Sequence, residues 1–131
     1  MNKEEKLKTL SEEEIQVTQH GGTEKPFENK YWNNDVKGGY RCKVCSALLF
    51  NSDTKLDSSK GPLGLRGWPA FENAIPGSVV YEKDFKLGYP RTEVLCANCR
   101  AHLGHLFDDE ETQTGKHYCI NSCSLDFEEG K

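Results

Sequence analysis

The chain has 131 residues, a formal net charge of −4 at pH 7 and 35 % apolar residues. With a mass of 14.8 kDa and a mean hydropathy of −0.75, it fits one domain spanning residues 1–131, with a core from about residue 10 to about 127. No apolar run approaches the roughly 18 residues of a membrane helix. Lys and Arg are scattered among acids, so neither a membrane nor a nucleic-acid backbone is an expected partner.

The opening segment to Glu14 is charged and lacks both the apolar centre of a secretory signal and the arginine-rich character of a transit peptide. A reducing cytoplasm is the expected location. In that compartment six cysteines read as metal ligands or reactive thiols, not as a disulfide framework. Ser11 with Glu14 forms a capping box, and Leu10 with Ile15 a hydrophobic staple, predicting a short N-terminal helix from about Glu12 to His20 that Gly21 and Gly22 stop. From Thr23 to Gly39, Pro26 and paired Asn and Gly residues surround Phe27, Tyr31 and Trp32, predicting an irregular clasp held by those rings.

Beyond Tyr40 the apolar runs are short and rich in Val, Tyr, Phe and Thr: Ala47 to Phe50, Ser78 to Phe85, Thr92 to Leu95, His105 to Phe107 and His117 to Ile120. They predict strands in a mainly antiparallel β domain. The stretch from Asp57 to Gly67 reads as an exposed loop leading into Trp68.

Cys42-Lys-Val-Cys45 and Cys96-Ala-Asn-Cys99 are two CxxC knuckles, each able to aim two sulfurs at one point. Two such pairs match a tetrahedral zinc ion, which would staple together segments distant in sequence. Four thiolates leave no open position for water or substrate, so the ion would be structural. The alternatives are a redox dithiol in one pair, four buried apolar thiols, or His102 replacing one ligand.

Cys119 and Cys123 remain. As isolated cysteines both read as small core residues. Asn121 and Ser122, however, follow Cys119, with His102 and His105 upstream. Two histidines three apart in a regular strand face opposite sides, so joint action requires Gly104 to bend the chain.

Gly22-Thr-Glu24 with Pro26-Phe27, Tyr40 to Cys45, Gly67-Trp-Pro-Ala-Phe71, Arg91-Thr-Glu-Val94, Ala101-His-Leu-Gly-His-Leu-Phe107 and Tyr118-Cys-Ile-Asn-Ser122 occur in one order. Together they resemble the peptide-methionine (R)-S-oxide reductases, the B type of methionine sulfoxide reductase. The resemblance implies two antiparallel β-sheets, likened to a tent, with a four-cysteine zinc site remote from the active site. It also implies reduction of methionine (R)-sulfoxide, in proteins or small compounds, by a monomer of one domain. Oxidised proteins or peptides and a thioredoxin-like or other thiol reductant are the implied partners.

By the same resemblance, Cys119 is the nucleophile that becomes a sulfenic acid. A free thiol titrates near roughly 8.5, so donors are expected to stabilise its anion. His102 and His105 match the histidines that deliver a proton to the sulfoxide oxygen, and Asn121 an amide that positions them. Trp68 matches the wall that receives the substrate methyl group, and Asp109 an acid that orients a neighbour.

This chain departs from the family pattern in three places. His117 stands where an arginine commonly precedes the nucleophile by two residues, which predicts weaker activation, with Arg66 as a substitute cation on the loop before Trp68. Arg66 itself occupies the position of a common resolving cysteine. Cys123 is the remaining thiol, but four residues of extended strand span roughly 13 Å, so it is expected to fill a core site while an external thiol reduces Cys119. Asp126 replaces a basic or neutral polar residue, with no consequence that the sequence reveals. A non-catalytic binding module on the same architecture is the rival reading.

Overall fold

The computed structural model describes residues 2–130. Its elements run in the order α1 (Lys3–Leu7), α2 (Glu12–His20), β1 (Gly38–Cys42), β2 (Leu48–Asn51), β3 (Lys55–Leu56), β4 (Ala70–Phe71), β5 (Val79–Asp84), β6 (Arg91–Cys96), β7 (His102–Asp108), β8 (Lys116–Ile120) and β9 (Leu125–Glu129), with three short 3-10 turns between them. The strands form a three-stranded sheet, β2-β1-β9, and a six-stranded sheet, β3-β4-β8-β7-β6-β5, with antiparallel pairing throughout. The mainly β class and the two sheets therefore agree with expectation.

Helix α2 begins where its capping box predicts: the Ser11 side chain accepts the Glu14 N–H, and the Glu14 carboxylate accepts the Ser11 N–H. Gly21, at φ +70°, ends it in the left-handed conformation. The short α1 is not foreshadowed by the charged opening segment; the side chain of Asn2 caps it.

Strands β1 and β9 are likewise hidden in the sequence, because Gly38-Gly39 reads as a turn and the end of β9 is charged. Their pairing explains the glycine. A Cβ on Gly38 would overlap the Glu128 carbonyl oxygen and the Phe127 ring, so the two strands approach that closely only with glycine there.

The inner faces of both sheets enclose one apolar core. Phe50 stacks on Phe71 with centroids 4.5 Å apart, while Tyr40 meets Phe71 and Tyr118 meets Phe50 edge to face. Leu49, Val94, Leu103, Ile120 and Leu125 complete it. On the other face of the six-stranded sheet, alternation brings together Asp84 of β5, Arg91 and Glu93 of β6, His105 and Phe107 of β7, and His117 and Cys119 of β8. Residues 23–37 form the expected clasp, packed through Tyr31 on Tyr40 and Phe127 and through an edge contact between Phe27 and Trp32.

Asp126 also acquires a role. Its carboxylate lies 3.0 Å from Lys43 Nζ, which lies 3.4 Å from Glu14, so the first cysteine knuckle is tied to β9 and to α2. No helix among the described residues is long and apolar enough to cross a membrane.

Candidate active site and metal centre

Cys42 and Cys45 lie at the β1–β2 turn, Cys96 and Cys99 at the β6–β7 turn, one knuckle from each sheet. Their four sulfurs all fall within 4.8 Å of one another. Sulfurs about 2.3 Å from a central zinc at tetrahedral angles would be roughly 3.8 Å apart, close to the 3.6 Å from Cys42 to Cys99 and the 3.5 Å from Cys45 to Cys96. Donor type, number and spacing thus fit a soft, tetrahedral metal ion. His102 is not among these ligands; its Nδ1 is 2.6 Å from Glu93.

Cys119 sits on β8 between Ala70 of β4 and His105 of β7. It lines a pocket with Trp68, Arg91, Gly104, His105, Phe107, Asn121, Thr23 and the loop residues Gly64 and Leu65. Gly104 is required twice over. A Cβ there would overlap the Cys119 carbonyl oxygen, and the ladder slips beside it: Val94 faces Gly104 while Leu95 faces His102, leaving Leu103 as a bulge. That extra residue turns His102 onto the face of His105, with ring centroids 5.4 Å apart. The bend expected at Gly104 is this bulge.

The bulge carbonyl also anchors Asn121, whose backbone N–H and side-chain Nδ2 both donate to Leu103 O, at 2.9 and 3.1 Å. Asn121 Oδ1 accepts the Glu24 N–H, and the Glu24 carbonyl accepts the Trp68 indole N–H at 2.9 Å. The polar edge of Trp68 is thereby occupied, which leaves its ring face as the surface offered to the pocket. The buried Glu24 carboxylate accepts the N–H groups of Ser122 and Cys123, fastening the turn after β8. Burial nevertheless raises the Glu24 pKa.

Expected donors to the Cys119 sulfur are not found: no hydrogen bond reaches it among the described residues, and burial, with the Glu24 charge, pushes its thiol up to about 12. Cys119 therefore rests as a thiol. Burial lowers both histidines, against the opposing pull of Glu93 on His102 and Asp84 on His105, so both favour the neutral form.

His117 and Asp109 lie together but outside the pocket lining. His117 Nδ1 is 3.1 Å from the Asp109 carboxylate, beside the loop at Gly61, and its buried Nε2 has no hydrogen-bond partner among the described residues. Hydrogen bonding from His117 holds the Asp109 carboxyl below its usual range. Arg66 does not reach the pocket, because its Nε donates to Gly61 O within its own loop. The cation in the pocket wall is Arg91. Cys123 is not a core residue: it is half-buried in a separate acidic cleft with Glu13, Glu14, Glu24 and Glu28, and burial with the Glu24 carboxylate keeps it protonated.

Sequence reasoning passes over Arg91, Glu93, Asp84 and Glu24 as working groups. Arg91 and Glu93 carry a readable signal, since residues two apart in a strand share a face with each other. Asp84 carries none, because its place beside His105 depends on the register of β5 with β6 across the hairpin from Phe85 to Pro90.

A SelR domain model matches residues 10–129. The chain is 46 % identical over 121 residues to the peptide methionine sulfoxide reductase MsrB of Synechococcus sp., covering 92 % of this chain and 85 % of that protein. It is also 46 % identical over 129 residues to the MsrB of Escherichia coli O139:H28, covering 98 % and 90 %. A bulged histidine strand against a cysteine strand, in a chain matched along nearly its whole length, leads to one assignment: this protein belongs to the SelR-domain family of MsrB-type peptide methionine sulfoxide reductases.

Proposed function

We propose that this chain reduces methionine sulfoxide, in peptides and proteins, back to methionine, with Cys119 as nucleophile and the R epimer as substrate. The observation that carries the reading is the joint presence of Cys119, His105, Asn121 and the Trp68 ring around one pocket, while the other cysteine cluster lies at the far end of the β6–β7 ladder.

The Cys119 sulfur attacks the sulfoxide sulfur. As the new bond forms, the thiol proton passes to the sulfoxide oxygen through a neutral histidine, with His105 directly across the ladder from Cys119. The hydroxyl so formed then passes to the Cys119 sulfur: its bond to the substrate sulfur breaks, the new S–S bond breaks with its electron pair going to the substrate sulfur, methionine departs as a thioether, and Cys119 holds the oxygen as a sulfenic acid. Atoms and protons balance with none drawn from solvent, so a resting thiol suits the reaction. The substrate methyl group packs on the Trp68 ring face, and Asn121 fixes the bulge that carries both histidines. Asp109 holds the His117 ring, which lies beside the loop at Gly61. The separate cleft of Cys123 favours direct reduction of the sulfenic acid by an external thiol, such as a thioredoxin-like protein, over an internal disulfide.

We assign zinc to Cys42, Cys45, Cys96 and Cys99 because four thiolates at tetrahedral spacing suit that ion. It supplies folding energy and no catalytic step. A single-domain cytoplasmic monomer is the accompanying assignment.

The test offers each methionine sulfoxide epimer to the zinc-loaded protein with dithiothreitol, beside Cys119→Ser. Turnover of the R epimer by the wild type alone is expected. Turnover of neither epimer would replace this reading with a binding module, and equal turnover of both would remove the stereochemical assignment.

A further inference from the structure

The pocket is wired to the β5–β6 hairpin by one carboxylate. Asp84 closes β5 and is buried, with 5 % of its side chain exposed. One of its oxygens, Oδ1, accepts the Lys86 N–H at 2.9 Å and so fixes the turn. The other, Oδ2, lies 2.7 Å from His105 Nε2 and 3.0 Å from an Arg91 terminal nitrogen. Three donors from three separate positions therefore hold this carboxylate, and two of the donors belong to residues of the Cys119 pocket.

We propose that Asp84 is a positioning residue for the sulfoxide reduction: by holding Nε2–H of His105, with Arg91 as its second anchor, it fixes the tautomer that leaves Nδ1 as the nitrogen of that ring able to exchange a proton in the Cys119 pocket. The inference rests on the function proposed above and names the source of His105's orientation. An ionised carboxylate only accepts, so the hydrogen of neutral His105 resides on Nε2. Nδ1 then carries the lone pair. During attack that lone pair takes the Cys119 proton as the sulfur–sulfur bond forms and releases it to the substrate oxygen; the hydroxyl then moves to the Cys119 sulfur as its old S–O bond and the sulfur–sulfur bond both break. Cys119 sulfur loses two electrons, the substrate sulfur gains two, and His105 ends as it began.

The charged and titratable groups facing His105 are Asp84 from β5, Arg91 and Glu93 from β6, His102 from its own strand, and Cys119 from β8. Asp84 supports the protonated imidazole, so its removal lets His105 stay neutral to lower pH. Arg91 opposes that protonation directly while keeping the carboxylate in place.

Asp84→Asn distinguishes orientation from mere packing, because an amide can turn its NH2 toward Nε2 and favour the opposite tautomer. Zinc-loaded wild type, Asp84→Asn, Asp84→Glu and Arg91→Lys are compared by nitrogen-15 NMR of the histidine rings and by pH profiles with free methionine (R)-sulfoxide. Wild-type His105 is expected to carry its hydrogen on Nε2. Asp84→Asn is expected to lose that signature, to fall roughly 10- to 100-fold in kcat with little change in KM, and to move the acid limb of kcat/KM to lower pH. Asp84→Glu and Arg91→Lys should recover part of kcat.

Unchanged tautomer, kcat and acid limb in Asp84→Asn would overturn the inference while leaving sulfoxide reduction intact. Inactive wild type would instead overturn the function on which it rests. Should Asp84→Asn fail to fold, Asp84→Glu and Arg91→Lys decide the matter: loss of the Nε2 signature in either, with kcat and the acid limb unchanged, would equally overturn it.

Discussion

At the scale of single residues, the site is built from groups held in their less reactive states. Cys119 is a thiol pushed up to about 12, first by burial and then by the Glu24 charge. At pH 8 native Cys119 should thus be alkylated at least about 100-fold more slowly than in the unfolded chain, with a rate still rising at pH 10. Peptide mass spectrometry after timed iodoacetamide labelling measures this, and a plateau before pH 9 would contradict the raised value. Glu24→Gln should speed the labelling, because it removes the charge and keeps the shape. Asp84 behaves oppositely: the Lys86 N–H chiefly, helped by His105 and Arg91 against desolvation, lowers its carboxyl from 3.8 to about 2. A depressed acid adds stability above its unfolded pKa and loses it as pH falls through the folded one. Urea unfolding between pH 5 and 2 should consequently show a steeper loss for wild type than for Asp84→Asn. Cys119, His105, Asn121 and Trp68 are legible as a motif set. Their supporting carboxylates are not, because Glu24 and Asp84 act through backbone groups and strand register that no local spacing encodes.

At the scale of elements, the bulge in β7 decides the site. Two histidines three apart require a bend at Gly104, and the structure supplies it by adding Leu103 to the ladder, whose carbonyl then organises Asn121. Helix α2 and the longer strands are readable because caps and alternating apolar runs are local signals. The short β3 and β4 have only two residues each, and β1 opens on two glycines, so their pairing comes from tertiary contact alone. Gly104→Ala should cost more than about 2 kcal/mol, since the obstructing atoms are backbone on the strand bearing Cys119. Gly64→Ala, in the loop beside the same pocket, meets nothing within 4 Å and should change stability by less than about 0.5 kcal/mol. Denaturant midpoints for the pair check this. Similar losses in both would show that the close β7–β8 approach does not limit the position.

At the scale of the whole molecule, two sheets must be kept in register over a core of modest size, and the two knuckles join them at one end. Each knuckle carries a residue in the left-handed conformation, Ser46 at φ 68° and Arg100 at φ 65°, immediately after its second cysteine. Non-glycine residues adopt that conformation at a cost, and thiolates gathered on one ion offset it. A metal on these four sulfurs would also close the long connection between Cys45 and Cys96, which contains β2 to β6 and Trp68. Losing it frees both sheets relative to each other, with the Cys119 pocket carried on the larger. Removal of the metal by a strong chelator should lower Tm by more than about 10 °C and abolish turnover, and one equivalent of zinc should restore both. Cys119→Ser should bind the same equivalent and keep the wild-type Tm to within about 3 °C, since the serine leaves the four ligands untouched. Thermal scans combined with metal analysis separate the two proposed sulfur roles: a zinc stoichiometry that drops with Cys119→Ser would place that cysteine on the metal and leave the pocket without the nucleophile proposed for it.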